Sequence, residues 1–206
     1  GPGEVWKANF ARNRVLTDGT IQGSSTSNGS YHGLVAFQSL TLGSKGLIEN
    51  GSFEDTIDAA KAKRNTNWDF RSPEMPARWN FHNQAGIATL ITDDASASNK
   101  FLRVASTGKS VAILHQQINI SQNAKLRVTL KARGKGNLTL ANFLYDLEPR
   151  KYRASPMISP EFKVDTADWK TYETTFDYDE RQLAHLALFI KSQQGLDIDD
   201  VTIRWE

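Results

Sequence analysis

A chain of 206 residues with 39% hydrophobic and 23% charged residues is large enough to bury its own core, which excludes a disordered tail. It contains no cysteine, which excludes disulfide scaffolds, thiolate zinc sites and cysteine nucleophiles. No apolar run reaches the ~20 residues a spanning helix needs. The net charge of +2 is unevenly spread: residues 161–206 hold 11 acidic against 5 basic side chains, so the chain before them is basic. Such a layout either steers a ligand or forms ordinary solvated surface.

Gly1-Pro2-Gly3 reads as the scar of a cleaved tag and is left out of the fold reading. Residues 18–33 are rich in Gly, Ser and Asn and read as a loop, and 34–42 alternate as a strand. The linker Gly43-Ser44-Lys45-Gly46 sets a boundary between residues 1–46 and 47–206. Residues 47–54 open as a strand carrying the turn pair Asn50-Gly51. Residues 55–78 form a long polar segment, part of which suits a short helix.

Strands are then expected at 86–92, 100–105, 110–120, 125–133, 137–145, 161–164, 169–178, 184–191 and 196–205. The clearest is 125–133, where Leu126, Val128, Leu130 and Ala132 alternate with Lys125, Arg127, Thr129, Lys131 and Arg133. Many strands at short spacing imply an all-β sandwich or barrel, and eight or nine suit a jelly roll.

Motifs for common chemistries are missing. There is no phosphate-binding Gly-x-x-x-x-Gly-Lys loop, no Gly-x-Ser-x-Gly elbow and no His-x-x-x-His pair. The obvious carboxylate pair, Asp199-Asp200, occupies adjacent strand positions that point to opposite faces. It cannot flank one glycosidic bond. These absences weigh against an enzyme.

Residues 47–206 carry Asn50-Gly51-Ser52-Phe53-Glu54, Pro76-x-x-Trp79, Phe101-Leu102-Arg103-Val104, Gln116-x-Ile118, Trp169-x-x-Tyr172 and Ile198-Asp199-Asp200-Val201. In that order and spacing they resemble the jelly-roll carbohydrate-binding modules of the family 4, 9, 16 and 22 type. Trp6-x-x-Asn9-Phe10-x-Arg12, Ser24-Ser25, His32 and Phe37-x-x-Leu40-x-Leu42 resemble the closing strands of a family 9 module, as if most of a preceding domain lay outside this chain. The resemblance implies an all-β jelly-roll sandwich with Phe53, Trp79, Val104 and Trp169 in its core. It also implies a structural calcium joining the first and last strands through Glu54 and Asp199, with carbonyls near Asn50 and Lys100. Calcium accepts six to eight such hard oxygens; the alternative is that both carboxylates make hydrogen bonds at strand ends.

Sugar modules stack aromatic faces on pyranose rings. With the implied core residues removed, Trp68 and Tyr145 are the expected platform and Tyr152 and Arg150 its edge. His115 and Gln117 share one strand face that would line the concave sheet. Arg150, Lys151, Arg153 and the polar face of 125–133 are basic, which makes an acidic polysaccharide an expected ligand. The same basic face also suits a convex, solvated surface. The expected protein is therefore a non-catalytic carbohydrate-binding module of a secreted, multi-modular bacterial glycan-degrading enzyme, at work outside the cell, on its surface or in the periplasm. The alternatives are a spacer of the same fold without sugar affinity and a catalytic domain. Single-strand nucleic-acid binding is disfavoured by the acidic C-terminal third.

Overall fold

The computed structural model describes residues 14–15, 21–22, 47–82, 84–115, 118–120, 124–145, 156–178 and 182–206. The expected boundary at 43–46, and the residues of 1–46 other than two short strands, lie outside them. In chain order the elements are β1 Arg14–Val15, β2 Ile21–Gln22, β3 Thr56–Asp58, α1 Ala59–Ala62, β4 Asp69–Phe70, β5 Glu74–Pro76, β6 Trp79–Phe81 and β7 Gly86–Asp93. They continue with β8 Ser96–Ser106, β9 Val111–His115, β10 Ile118–Ile120, β11 Ala124–Tyr145, β12 Met157–Ile158, β13 Phe162–Tyr178, β14 Gln182–Lys191 and β15 Leu196–Trp205.

The fold is an all-β jelly-roll sandwich, made by one sheet that curls over on itself. In its first layer the order is β4-β7-β8-β15-β11, with β13 on the far side of β11. In its second layer β11 continues to β14, β9 and β6. The hinge is β11 itself. Residues 126–134 pair with β15, whereas 137–145 pair with β14. The sequence suggests two strands broken at Gly134-Lys135-Gly136. The structure shows one strand of 22 residues. Gly134 takes φ +110° where the register against β13 slips, so the glycine bends the strand as a bulge and does not end it. The expected strands 161–164 and 169–178 are likewise one element, β13.

Alternation fills the space between the layers. Leu126, Val128, Leu130 and Ala132 of β11 are at most 1% exposed, as the period-two pattern requires. Leu102 and Val104 of β8 and Ile198, Val201 and Ile203 of β15 complete that side of the core. Leu138, Leu140, Leu186, Leu188, Ile190, Val111 and Ile113 belong to the same cluster from the second layer.

Residues 47–54 are not a strand. Asn50 and Phe53 sit at positive φ, and the side chain of Asn50 is a local staple: its Nδ2 donates to Asp55 O at 2.8 Å and Ala77 O at 2.7 Å, while its Oδ1 accepts from Asp55 N. The segment still lies against the last strand as expected, with Leu47 N donating to Ile203 O and Val201 N to Gly51 O, both at 2.9 Å. A Cβ at Gly51 would come within 1.8 Å of Val201 O, so only glycine permits that approach. The short helix expected within 55–78 is α1, capped by Asp58.

Of the implied core residues, Phe53, Trp79 and Val104 are 0%, 3% and 0% exposed. Trp169 is a correction. It is half-buried on the solvent side of the first layer, edge-on to Phe101 at 5.5 Å with the Arg133 guanidinium 4.5 Å from its ring.

One core position breaks the pattern. Asn142 is 0% exposed between the layers, and neither its Nδ2 nor its Oδ1 has a hydrogen-bond partner among the described residues. A buried polar group left unpaired costs about 1–3 kcal/mol. Asn142→Leu should therefore raise stability by about 1–2 kcal/mol, a gain of a few degrees in Tm for a chain of this size. Urea denaturation checks it, and a loss of stability would refute the expectation.

Candidate functional site

The same alternation that fills the core sends a second set of residues outward from the second layer. On β11 the inward positions are Leu138, Leu140, Asn142 and Leu144, so Phe143 and Tyr145 point out. On β14 Leu186, Leu188 and Ile190 point in, so His185, Ala187 and Phe189 point out. The register then assembles rows across four strands. Ala141, Ala187, Leu114 and Asn80 form one; Thr139, Phe189 and Ala112 form the next. His82 extends the second row, its N–H donating to Ala112 O at 3.1 Å.

These rows shape a groove of about 470 Å³ lined by His82, Gln84, Ala112, Leu114, Phe143, Tyr145 and Phe189. Of the small outward-facing residues on this layer, Ala112 lines the groove and is 2% exposed. Half-buried aromatics stand above it. The Phe143 and Phe189 rings are 6.0 Å apart at 53°, and Tyr145 meets His185 edge-on at 5.6 Å. Among the described residues, no Lys, Arg, Asp or Glu lines the groove. A lining of Ala112, Leu114 and tilted aromatic rings accepts a flat, partly apolar ring, and His82, Gln84 and Tyr145 supply polar contacts that fix its orientation.

The residues singled out in the sequence fall in four places. Tyr145 lines this groove. Trp68 does not: it is 1% exposed, edge-on to Phe81 at 5.0 Å, with Nε1 donating to His82 O at 2.6 Å. It belongs to the core, because the polar segment around it folds over the end of the second layer. His115 is also a correction. It is 3% exposed and faces inward, edge-on to Trp79 at 5.1 Å, with Nε2 donating to Glu49 O. Gln117, Arg150 and Tyr152 lie outside the described residues.

Sequence reasoning missed Phe143 and Phe189, which sit inside strands rich in core residues. The inward Leu-x-Leu-x-Ile of 186–190 and the Leu-x-Leu of 138–140 were the signals that would have turned them outward.

The basic face of residues 125–133 lies on the outside of the first layer, where the acidic last strand neutralises it. Lys131 pairs with Asp200 at 2.7 Å and Arg127 with Glu206 at 2.5 Å, and Arg103 and Arg133 both hold Asp197, at 2.6 and 2.9 Å. The basic and acidic stretches of the sequence thus meet across strands, in a shallow polar depression of about 440 Å³.

Glu54 and Asp199 come together where residues 47–54 cross β15. Asp199 is 4% exposed. Burial pushes its carboxyl up to about 6, and the charges of Asp200 and Glu54 add to the rise against hydrogen bonds from the Asp200 N–H and the Asn99 side chain. Glu54 is exposed and accepts from Ser52 Oγ at 3.1 Å. A buried carboxylate with a second near enough for its charge to be felt suits a hard divalent cation. The described residues hold no group of three or more His, Asp or Glu side chains around a metal-sized space, so further ligands would have to be backbone or amide oxygens.

No protein-family model matches the chain, and no curated protein matches it. Solved structures similar to it include the family 22 module and catalytic portion of Clostridium thermocellum endo-1,4-β-D-xylanase 10B in complex with xylohexaose, at 12% identity and a TM-score of 0.48. That match covers 63% of this chain and 26% of the xylanase chain, so this chain spans about a quarter of that protein. TmCBM61 in complex with β-1,4-galactotriose matches 78% of this chain and 99% of its own, at 13% identity and a TM-score of 0.46. A family 4 carbohydrate-binding module matches 77% and 99%, at 17% identity and a TM-score of 0.44.

Proposed function

We propose that the chain is a non-catalytic carbohydrate-binding module that holds an uncharged polysaccharide in the groove of Phe143, Tyr145 and Phe189. The groove carries this reading: its walls are aromatic, Ala112 and Leu114 add apolar lining, and none of its described lining residues is ionic. Pyranose rings offer apolar C–H faces to such walls and hydroxyls to His82, Gln84 and the Tyr145 phenol. No carboxylate lines the groove among its described residues, which disfavours glycosidic cleavage there. An acidic ligand finds less support, since Arg127, Lys131 and Arg133 of the basic face lie on the outside of the first layer and are ion-paired. In its natural setting the module would work outside the cell, keeping a glycan-degrading catalytic domain close to its substrate. Affinity electrophoresis of the whole chain against neutral and acidic polysaccharides tests this. Retardation by a neutral glycan supports it, and retardation by acidic glycans alone overturns the uncharged ligand. The aliphatic lining of Ala112 and Leu114 favours a second reading, a spacer domain, which gains if nothing retards the chain.

The reading includes a structural calcium held by Glu54 and Asp199. When bound, the ion would neutralise the Glu54 and Asp199 carboxylates and tie residues 47–54 to β15. The sign of the effect follows from the raised pKa. Without a cation, Asp199 contributes stability that is fully present below its ordinary 3.8 and is lost as pH rises through about 6. At pH 7 in chelator, Asp199→Asn should therefore raise stability, on the order of 2–3 kcal/mol at about 1.4 kcal/mol per pKa unit. Calcium should raise the Tm of the parent chain and leave that of the variant unmoved. A parent Tm indifferent to both chelator and calcium would reject the ion.

A further inference from the structure

We infer that the glycan-binding face continues past the groove onto β12, where Ile158 forms a further subsite that a chain of several sugars reaches and a short one does not. The inference rests on the groove being the glycan site, and it names the contact that reads chain length.

Among the described residues, Ile158 is the one large hydrophobic side chain left exposed, at 63%. A single exposed hydrophobe is ordinary on a protein surface, so its place decides its meaning. β12 pairs antiparallel with β11, and the register sets Ile158 opposite Ala141. Ala141 lies between the inward Leu140 and Asn142 and so faces outward, and partners across an antiparallel ladder share a face. Ile158 therefore stands on the groove side of the second layer. On that face Phe143 is its diagonal neighbour, two residues along β11 from Ala141, where such pairs are usually about 7–8 Å apart. Phe143 is also a wall of the groove. The other diagonal neighbour, Thr139, is half-buried and adds a hydroxyl to the same face.

Strand order sets the span. Across the second layer run β9, β14, β11 and β12, with Ala112 and Leu114 of the groove on the first and Ile158 on the last. Three ladder steps amount to about 14 Å, more than one pyranose ring covers. A ring stacked in the groove leaves Ile158 bare, whereas the following rings of a longer chain pass Phe143 and lay apolar C–H faces on it. The subsite is also fixed in advance. Directly after Ile158, Ser159 N donates to Leu140 O at 2.8 Å, and its Oγ accepts from Leu140 N at 3.0 Å and donates to Pro160 O at 2.7 Å. These bonds hold β12 against β11, so the contact forms without ordering a loose segment and more of its free energy appears as affinity.

The test uses the whole chain in isothermal titration, with xylohexaose, cellohexaose and β-1,4-galactohexaose set against xylobiose, cellobiose and β-1,4-galactobiose. Ile158→Ser should weaken the best-bound hexasaccharide about three- to tenfold and leave the matching disaccharide unaffected. Its Tm should equal the parent's, since the side chain it removes is already mostly in water. Ile158→Leu keeps the apolar bulk and should bind as the parent does. In a methyl-labelled chain the Ile158 signals should move with the hexasaccharide and stay in place with the disaccharide. Equal hexasaccharide affinity in Ile158→Ser and parent would overturn the subsite, and so would an equal loss for both probe lengths. If Ile158→Ser instead dissociates a dimer of the parent without altering affinity, the residue belongs to a contact between copies and the subsite is again overturned. Each of these results leaves the groove proposal standing as long as Phe189→Ala loses binding. Failure of the parent chain to bind any of the three hexasaccharides overturns the subsite and the groove together.

Discussion

Trp68→Ala is expected to destabilise the fold by about 3–5 kcal/mol, the cost typical of removing a buried tryptophan. The indole is the largest of the fully buried side chains. It stands edge-on to Phe81 at 5.0 Å and stacked with Phe70 at 6.5 Å, and those rings meet each other at 4.8 Å. Truncation opens a cavity within this trio and leaves His82 O without its donor. For a chain of this length each kcal/mol shifts Tm by about 2–4 °C, so the drop should lie between roughly 6 and 20 °C. Urea denaturation measures it directly. A variant as stable as the parent would place Trp68 outside the core and restore it as a candidate ligand platform.

The second large effect falls on binding and spares the fold. Phe189→Ala and Tyr145→Ala each remove a half-buried ring from the groove wall without touching the layer of Leu186, Leu188 and Ile190 beneath. Stacking contacts of this kind are worth on the order of 1–3 kcal/mol, a loss of about ten- to a hundredfold in affinity for a neutral polysaccharide. Stability should change by less than about 1.5 kcal/mol, because both rings face solvent on one side. The two effects are separable: Trp68 should move stability first, and Phe189 and Tyr145 should move affinity alone. If Phe189→Ala binds as the parent does, the ligand lies elsewhere.

How much of this was legible from the residues depends on whether the signal was periodic or tertiary. The period-two run at 125–133 is visible in the sequence and appears in the fold with every inward residue buried. The end of that strand was not, because Gly134-Lys135-Gly136 looks the same whether glycine ends a strand or bends it. Residues 47–54 misled for a related reason. Leu47, Ile48 and Phe53 supply strand-like apolarity, but Asn50 and Phe53 adopt positive φ to wrap against β15.

In the site, Tyr145 was found and Phe143 and Phe189 were not. Elimination by local polarity favours aromatics in polar segments, and it selected Trp68 for that reason. Burial of Trp68 is decided by Phe70, Phe81 and Gly86, which come to it through the fold. The excess of positive charge before residue 161 and of negative charge after it was legible. Its meaning was not: β11 and β15 lie side by side, and their opposite charges cancel across the ladder.

The most direct test of the central claim is a titration of the isotope-labelled chain with a neutral oligosaccharide, followed by chemical-shift mapping. The groove reading predicts perturbations concentrated on His82, Gln84, Ala112, Leu114, Phe143, Tyr145 and Phe189, with the outer face of the first layer silent. Perturbations centred instead on Arg127, Lys131 and Arg204, or no perturbation by any neutral glycan, would contradict it.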